Sequence, residues 1–368
     1  MRKNMLQTAN IFKNLTVIEL AGILAGPLVG SFFAELGARV IKVENPHTQG
    51  DPTRKWKLPK EVSGEYSAYY ASANYGKEVL FADIKHAQER EKIHALIAQA
   101  DIVICNFKKG SDVALQMDYA TLSAGNPKLI YAAINGYGAD SARAAFDVVL
   151  QAEAGFMYMN GTPQSGPLKF PVAIIDILAA HQLRSGILCA LLQRNETKLG
   201  AAVQVSLFDA AVSALVNQAS NYLMCNYIPQ PMGSLHPNIA PYGETFACAD
   251  GAYIVLAIGT DRQFATLCEI LQAPELAQTQ VFSSNALRLE NRDLLQEKLA
   301  LLFAQFSRDE LMEKLHQNHV PAGAIRNLAE VFVDEKAQRM VHTQVWENDY
   351  IAKSIKQVAF QWESFGSK

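Results

Sequence analysis

The chain has 368 residues, of which 33 are basic and 36 acidic, so its formal net charge is -3. This length allows two domains with large buried cores. The near balance of charge offers no general attraction to nucleic acid or to an anionic membrane, and it argues against both as partners.

No apolar stretch approaches the roughly 18 residues of a membrane span, and residues 1–5 lead into polar residues instead of a signal-peptide core. We therefore expect a cytoplasmic protein. The cysteines are odd in number, far apart and never paired as C-x-x-C, which argues against a disulfide framework and against zinc. His316 and His319 have a ligand-like spacing, but a charged helix explains them and no metal is expected.

The first elements in the chain are predicted to be a strand, a helix and a second strand. Thr16–Leu20 and Arg39–Val43 are rich in β-branched residues, and an apolar helical pattern between them opens at Pro27 and ends at Gly37. Proline in the first turn and glycine just past the last are typical of helix ends. Two strands joined through a helix are parallel, which favours an open α/β sheet.

The same alternation continues and predicts a doubly wound parallel sheet. Further strands are expected at Val79–Asp83, Ile102–Cys105, Leu129–Ile134 and Ala202–Leu207, and helices at Gln88–Gln99 and Phe208–Met224. A nicotinamide cofactor is not expected, because Gly22-Ile-Leu-Ala-Gly26-Pro27 lacks the G-x-G-x-x-G spacing.

A proline-rich stretch without periodicity, Tyr227–Pro241, is interpreted as a linker to a second block. That block is expected to hold a hairpin around Asp250-Gly251 and helices at Arg262–Leu271, Asn291–Phe306 and Arg308–Asn318. Val320–Arg326 then leads toward a short C-terminal tail.

One carboxylate stands at the start of a long helical pattern. The run Pro171-Val-Ala-Ile-Ile-Asp176 precedes apolar residues at helical spacing, so Asp176 lies where an N-cap belongs. An aspartate in this place is ordinarily a cap alone, and the residues by themselves leave that interpretation open beside a catalytic one.

Basic residues form a second candidate feature. Lys42, Lys77 and the pair Lys108-Lys109 stand at the ends of predicted elements, where an α/β sheet binds ligands and cations could hold a phosphorylated one. Ordinary solvated lysines explain the same pattern.

Ordered motifs run along nearly the whole chain: Leu24-Ala-Gly-Pro27, Leu36–Glu44, Gly50–Arg54, Asn74–Lys77, Asn106-Phe107, Asn126–Tyr131, Asn135–Gly138, Phe146–Gln151, Pro171–Asp176, His236–Tyr242 and Thr260–Phe264. Together they closely resemble the class III CoA-transferases, the CaiB/BaiF-type family of the formyl-CoA, carnitine and bile-acid CoA-transferases. The resemblance implies an enzyme that transfers sulfur-containing groups (EC 2.8.3).

The resemblance also implies an α/β fold with a large Rossmann-like domain and a smaller α+β domain. The large domain would comprise residues 1–225 completed by 330–368, and the small domain residues 226–329. Members of the family are similar in forming interlocked homodimers, so a second copy of the chain is the implied protein partner. Coenzyme A, as acyl-CoA, and a small carboxylic acid are the implied ligands.

By position, Asp176 matches the catalytic aspartate of the family. Its carboxylate would attack an acyl-CoA thioester to form an anhydride, and the returning thiolate would form an aspartyl-CoA thioester. The helix N-terminus is expected to keep Asp176 ionised. The CoA contacts implied by the resemblance are Leu24, Ala25, Lys42, Asn45, Asn74, Lys77, Asn106, Phe107, Lys108 and Phe146.

Phe146 is a departure that bears on the reaction. The racemases of this fold have histidine there, before the aspartate that matches Asp147, and without it one proton carrier is missing. An acyl-CoA racemase or epimerase is therefore the weaker alternative. Leu24 and Asn45 stand where relatives carry glutamine or arginine, which leaves a non-catalytic CoA-binding protein as a further one.

Overall fold

The computed structural model describes residues 10–61 and 66–361, apart from the side chain of Asn348, so residues 1–5 and the last part of the predicted C-terminal segment lie outside it. The chain divides into two compact units. Unit 1 takes its described residues from 1–157, 169–229 and 338–368, and unit 2 from 158–168 and 230–337.

Unit 1 contains a parallel sheet of six strands: β1 Thr16–Glu19, β2 Arg39–Glu44, β3 Lys77–Phe81, β4 Ile102–Cys105, β5 Ile130–Asn135 and β6 Ala201–Ser206. The order is β3-β2-β1-β4-β5-β6, as in doubly wound folds. Each predicted strand overlaps an observed one, and the α/β prediction is confirmed. The residues of β4 are all buried, because helices cover both faces of a parallel sheet. The order reverses between β1 and β4, which is where such sheets bind ligands.

Helices flank this sheet: α1 Ala25–Glu35, α2 Ala68–Ala71, α3 Ala87–Ile97, α4 Ser111–Ala114, α5 Tyr119–Gly125, α6 Asp147–Glu153, α7 Phe156–Met159, α8 Ile174–Thr197, α9 Leu207–Ser213 and α10 Val216–Cys225. Pro46–Thr48 and Pro52–Lys55 form short 3₁₀ turns. The single helix predicted over Phe208–Met224 is wrong. Val216 has a φ of 42°, outside the right-handed helical region, and the chain forms α9 and α10 instead.

The helix α8 is the one helix in the described ranges that is long and apolar enough to cross a membrane, with a mean hydropathy of 1.4. It corrects the expectation that no segment reaches that length. Its buried face includes Ile175, Leu183 and Ile187, and it packs on α1, β5 and β6. This packing makes α8 a core helix of unit 1.

Unit 2 contains an antiparallel sheet in the order β7 Tyr242–Ala247, β8 Tyr253–Ala257 and β9 Ala322–Ile325. Its helices are α11 Asp261–Ile270, α12 Pro274–Gln278, α13 Asn285–Glu290, α14 Arg292–Phe303, α15 Arg308–Gln317 and α16 Leu328–Val331, and α17 Glu335–Gln338 leads back to unit 1. The predicted hairpin and the three long helices are confirmed. Sequence analysis missed β9, because the proline and glycine of Val320–Arg326 disguise a strand.

The C-terminal segment adds a hairpin of β10 Val341–Val345 and β11 Ile351–Ile355 to unit 1, where only a tail was expected. The chain after it is fixed to α1 by Glu35. The carboxylate of Glu35 accepts hydrogen bonds from the backbone N–H groups of Gln357 at 2.7 Å and Val358 at 2.9 Å.

Glu19, Lys42, Asp51 and Lys77 form a buried cluster of charges beside α1. Lys42 Nζ lies 2.9 Å from Glu19 Oε1 and 3.1 Å from Asp51 Oδ2. Lys77 Nζ lies 2.8 Å from Glu19 Oε2. Burial alone would lower the pKa of Lys42, but the charges of Glu19 and Asp51 outweigh it and raise that pKa. The carboxylates and ammonium groups thus balance inside the core, which is the condition for burying them.

The charge cluster needs the space that Gly30 leaves on α1. A Cβ at position 30 would lie 1.9 Å from Glu19 Oε2 and 3.1 Å from Lys77 Cε. Gly30→Ala should therefore lower the free energy of unfolding by about 2–4 kcal/mol, although alanine is the better helix former. Gly125→Ala is the control, since no atom lies within 4 Å of a Cβ there. Urea denaturation measures both variants, and equal stabilities would contradict the prediction.

Candidate functional site

A cavity of about 560 Å³ opens in unit 1 where β4 and β5 end and α1 begins. Most of the predicted site residues line it: Asp176, Leu24, Ala25, Asn106, Phe107, Lys108 and Phe146. The cavity lies at the carboxyl ends of the strands next to the switch point of the sheet, where α/β proteins bind ligands. The fold therefore brings the predicted nucleophile and most of the predicted CoA contacts together.

A second cavity of about 260 Å³ lies beside the first, and Gly22 lines both. Among the residues that line it are Asn45 and Lys85. Asn45 Oδ1 accepts a hydrogen bond from the backbone N–H of His47 at 2.9 Å and begins a 3₁₀ turn. Asn45 is therefore at a cavity, as predicted, but at a different one from Asp176.

Three predicted contacts, Lys42, Asn74 and Lys77, hold the protein instead of offering donors to a ligand. Lys77 Nζ is buried and donates to Glu19 and to two backbone carbonyls. Lys42 Nζ donates to Glu19 and to the carbonyl of Ala21, each at 2.9 Å. Asn74 Nδ2 donates to a backbone carbonyl at 2.8 Å. Their donors are therefore used by the protein itself, although Lys42 also lines the second cavity. Their assignment as CoA contacts stays a prediction.

The loop between β1 and α1 is fixed from two sides. Asn106 Oδ1 accepts from the N–H of Gly22 at 3.2 Å, and Asn106 Nδ2 donates to the carbonyl of Gly22 at 3.0 Å. Asp51 Oδ2 accepts from the N–H of Ile23 at 3.1 Å. Asn106, predicted as a ligand contact, thus also ties the end of β4 to this loop.

Asp176 is the third residue of α8 and not its N-cap. The helix begins at Ile174, and its N-cap residue Ala173 provides no capping side chain. The cap comes from α6, where Asp147 Oδ1 accepts the N–H of Ile175 at 2.8 Å. Because Asp147 satisfies this amide, α8 starts earlier than predicted and the carboxylate of Asp176 is released from capping.

Asp147 is itself held in place by Gln151, which is fully buried. Gln151 Nε2 donates to Asp147 Oδ2 at 2.7 Å, and Gln151 Oε1 accepts from the N–H of Phe170 at 2.7 Å. This network joins α6 to the segment that leads into α8. The carboxylate of Asp147 is therefore held at a fixed position beside the start of α8.

Burial, together with the negative charge of Asp147, raises the pKa of Asp176 to about 7. The helix N-terminus was expected to help keep Asp176 ionised, whereas burial and the charge of Asp147 act in the opposite direction on its pKa. A carboxylate with this pKa is more basic than an ordinary aspartate and a stronger nucleophile once ionised. Burial, and then the charges of Asp176 and Asp147, also raise the pKa of Tyr69 on α2.

Sequence analysis missed one cation at the cavity, Arg143. Lys109 and Arg143 line it together with Lys108. Arg143 Nη2 lies 2.6 Å from Glu153 Oε1, and its guanidinium lies 4.0 Å from the ring centre of Tyr137. Lys109 was visible as half of a lysine pair, whereas Arg143 lies in an irregular stretch without periodicity and gave no signal. In residues 10–61 and 66–361, no three His, Cys, Asp or Glu side chains form a group that could hold a metal ion.

The profile of CoA-transferase family III matches residues 12–366. The chain is 37% identical over 331 residues to the succinate–glutarate CoA-transferase of Agrobacterium fabrum, covering 88% of this chain and 82% of that protein. It is 33% identical over 325 residues to the human succinyl-CoA:glutarate CoA-transferase, covering 88% and 73%. The chain belongs to CoA-transferase family III and is a class III CoA-transferase, as its motifs indicated.

Solved structures confirm the fold. The chain is similar to a CaiB/BaiF family protein from Brucella suis with a TM-score of 0.85 and 38% identity, covering 95% of this chain and 92% of that one. It is also similar to Rv3272 from Mycobacterium tuberculosis, with a TM-score of 0.82 and 27% identity, covering 96% and 93%.

The raised pKa of Asp176 makes a prediction about stability. Because the pKa rises from 3.8 to about 7 on folding, ionised Asp176 destabilises the fold, and the cost grows as pH rises between these values. Asp176→Asn should therefore raise the free energy of unfolding by about 1–4 kcal/mol at pH 8, with a much smaller gain at pH 4.5.

Urea denaturation at both pH values measures this difference. Glu196→Gln, which removes an exposed carboxylate from the far end of α8, is the control and should show no pH-dependent gain. A gain for Asp176→Asn that is equal at the two pH values would contradict the raised pKa.

Proposed function

We propose that the protein transfers CoA between short dicarboxylic acids through covalent intermediates on Asp176. The observation that carries the proposal is the partly buried carboxylate of Asp176 in the first turn of α8, in a cavity that the predicted CoA contacts also line. The substrate class follows from similar proteins, which are named for succinate, glutarate, mesaconate and oxalate.

The proposed reaction has four balanced steps. The carboxylate of Asp176 attacks the thioester carbonyl and expels CoA thiolate, which leaves a mixed anhydride. The thiolate attacks the Asp176 carbonyl of the anhydride, releases the donor acid and forms an aspartyl-CoA thioester. The acceptor carboxylate attacks that thioester and expels the thiolate again, and the thiolate then attacks the acceptor carbonyl and releases Asp176. No water enters, and each acyl bond broken is replaced by another.

Cations at the two cavities are suited to the phosphates of CoA. Lys108, Lys109 and Arg143 line the cavity of Asp176, and Lys85 lines the neighbouring one. With Lys42 and Lys77 used inside the core, these groups supply the positive charge. We place the thioester end of acyl-CoA near Asp176 and the nucleotide end in the smaller cavity with Asn45 and Lys85.

The racemase alternative has less support. Phe146 lines the cavity, and its phenyl ring has no group that transfers a proton. A non-catalytic CoA-binding protein also has less support, because Asp176 has the basicity of a nucleophile and is free of the capping role that would explain it otherwise.

We further propose that unit 1 is the CoA-binding domain predicted from residues 1–225 and 330–368, that unit 2 is the smaller domain predicted from 226–329, and that two chains form an interlocked homodimer. Support for a partner copy comes from α10, where Leu223 and Met224 are 78% and 83% exposed. Apolar side chains exposed side by side mark protein interfaces.

A cytoplasmic location is likewise proposed.

Trapping with hydroxylamine tests the covalent mechanism. With succinyl-CoA, glutarate and hydroxylamine, Asp176 should become a hydroxamate, found by mass spectrometry of its peptide, because hydroxylamine intercepts the anhydride and the thioester. Asp176→Ala should abolish the product and lower the rate of transfer by about 10³-fold or more. Exchange of the α-proton without trapping would contradict the proposal and favour the racemase.

The pH dependence tests the ionisation of Asp176. The kcat/KM for succinyl-CoA should fall about tenfold per pH unit below a break near pH 7, because only the ionised carboxylate attacks. Asp147→Asn should move the break to lower pH by only part of the rise in the pKa of Asp176, since burial is the larger cause of that rise. Asparagine keeps an oxygen that can accept the N–H of Ile175, so the cap of α8 is retained. Glu196→Gln is the matched control. If the pH of the break were the same in Asp147→Asn, the charge of Asp147 would have no effect on the ionisation of Asp176.

A further inference from the structure

Ile23 has a backbone conformation that β-branched residues rarely adopt. Its φ is 74°, in the left-handed region, where the Cβ of an L-residue crowds the backbone. Ile23 lines the same cavity as Asp176 and precedes the start of α1 by two residues. Strain of this kind persists only where the surrounding structure imposes it.

The surrounding structure here is a buried charge pair. Asp51 Oδ2 accepts the N–H of Ile23 at 3.1 Å, and the same oxygen lies 3.1 Å from Lys42 Nζ. Lys42 Nζ also donates to the carbonyl of Ala21 at 2.9 Å. Asp51 and Lys42 are only 5% and 1% exposed, so separating them would leave the buried carboxylate of Asp51 without its ion-pair partner. The pair therefore holds the backbone of the loop by hydrogen bonds at Ala21 and Ile23, on either side of Gly22.

The loop held in this way determines where α1 begins. Its N-cap residue, Leu24, has no capping side chain, and both Leu24 and Ala25 line the cavity of Asp176. Backbone N–H groups at a helix start are free to face a ligand, and they stabilise negative charge. Each attack in the proposed reaction forms a tetrahedral intermediate with a negative oxygen, which such donors stabilise when they are held in advance.

We propose that Asp51 is a positioning residue for CoA transfer. Through the N–H of Ile23 and through Lys42, it holds the loop Ala21–Ala25 in the strained form that presents the start of α1 to the intermediates on Asp176. Asp51 touches no reacting atom. The inference rests on the proposed function of Asp176.

A double-mutant cycle tests this role. Asp51→Asn keeps the size of the side chain but removes the charge that pairs with Lys42. It should lower kcat about 30-fold and change the KM for succinyl-CoA less than threefold, since the loop acts on the transition state. Circular dichroism and thermal unfolding establish that the variant is folded at the assay temperature.

Ile23→Gly removes the strain, because glycine adopts a positive φ freely. In the Ile23→Gly background, Asp51→Asn should lower kcat only about threefold, since glycine adopts the positive φ at position 23 without the hydrogen bond to Asp51. Ile23→Ala is the matched control, because it removes the same packing but keeps a Cβ. In the Ile23→Ala background, Asp51→Asn should again lower kcat about 30-fold. Equal losses in the glycine and alanine backgrounds, or an unchanged kcat in Asp51→Asn, would overturn the proposal.

Crystal structures separate this inference from the proposed function. In Asp51→Asn, Ile23 should relax to a negative φ, whereas residue 23 of the double variant with glycine should keep a positive φ. If these φ values were observed but the protein had no transferase activity, the proposed function would be rejected, while the conclusion that Asp51 fixes the loop would stand. An active protein in which Asp51→Asn leaves both kcat and the φ of Ile23 unchanged would reject the inference alone.

Discussion

The pairing of two buried lysines with two buried carboxylates is the interaction on which the site depends. Lys42 and Lys77 meet at Glu19, and Lys42 extends the contact to Asp51. These residues come from β1, β2, the start of β3 and the chain after β2, so the cluster joins three strands to the loop before α1. Removing one member would unbalance the buried charges in a medium of low dielectric, at a cost of about 3–5 kcal/mol. Ion pairs inside the core thus hold the loop that lines the cavity of Asp176.

Asp176 shows the opposite arrangement, because in the described part of the chain a neighbouring carboxylate, and not a cation, shifts its pKa. Burial and the neighbouring Asp147 both disfavour its ionised form. Asp147 has two effects at once, since it caps α8 and its charge disfavours ionisation of Asp176, the proposed nucleophile. The fold therefore loses some stability at the residue proposed to carry the chemistry, which is a common relation between stability and activity.

The sequence predicted the sheet well because its strands contain runs of β-branched residues and alternate with helical patterns along the chain. The family motifs also led to Asp176, Leu24 and Ala25, which the fold brings to one cavity. Sequence analysis failed where a residue's surroundings depend on a distant partner. Lys42 and Lys77 looked like cations at solvent-facing ends, yet their partner Glu19 lies 23 and 58 residues away in the chain. The cap of α8 was misassigned for the same reason, since Asp147 reaches Ile175 only in the folded protein.

Gly22 lies at the border of both cavities, and this has a consequence for selection among nucleotides. A Cβ at this position would come within 3.3 Å of Asp51 Oδ2, so a larger residue would intrude on the charge pair below it. In the placement of acyl-CoA proposed above, the pantetheine arm joins the two cavities across the backbone of Gly22, where a side chain would narrow the passage. Free adenine nucleotides lack this arm, so the same placement predicts that they fill the smaller cavity alone and gain nothing from the cavity of Asp176.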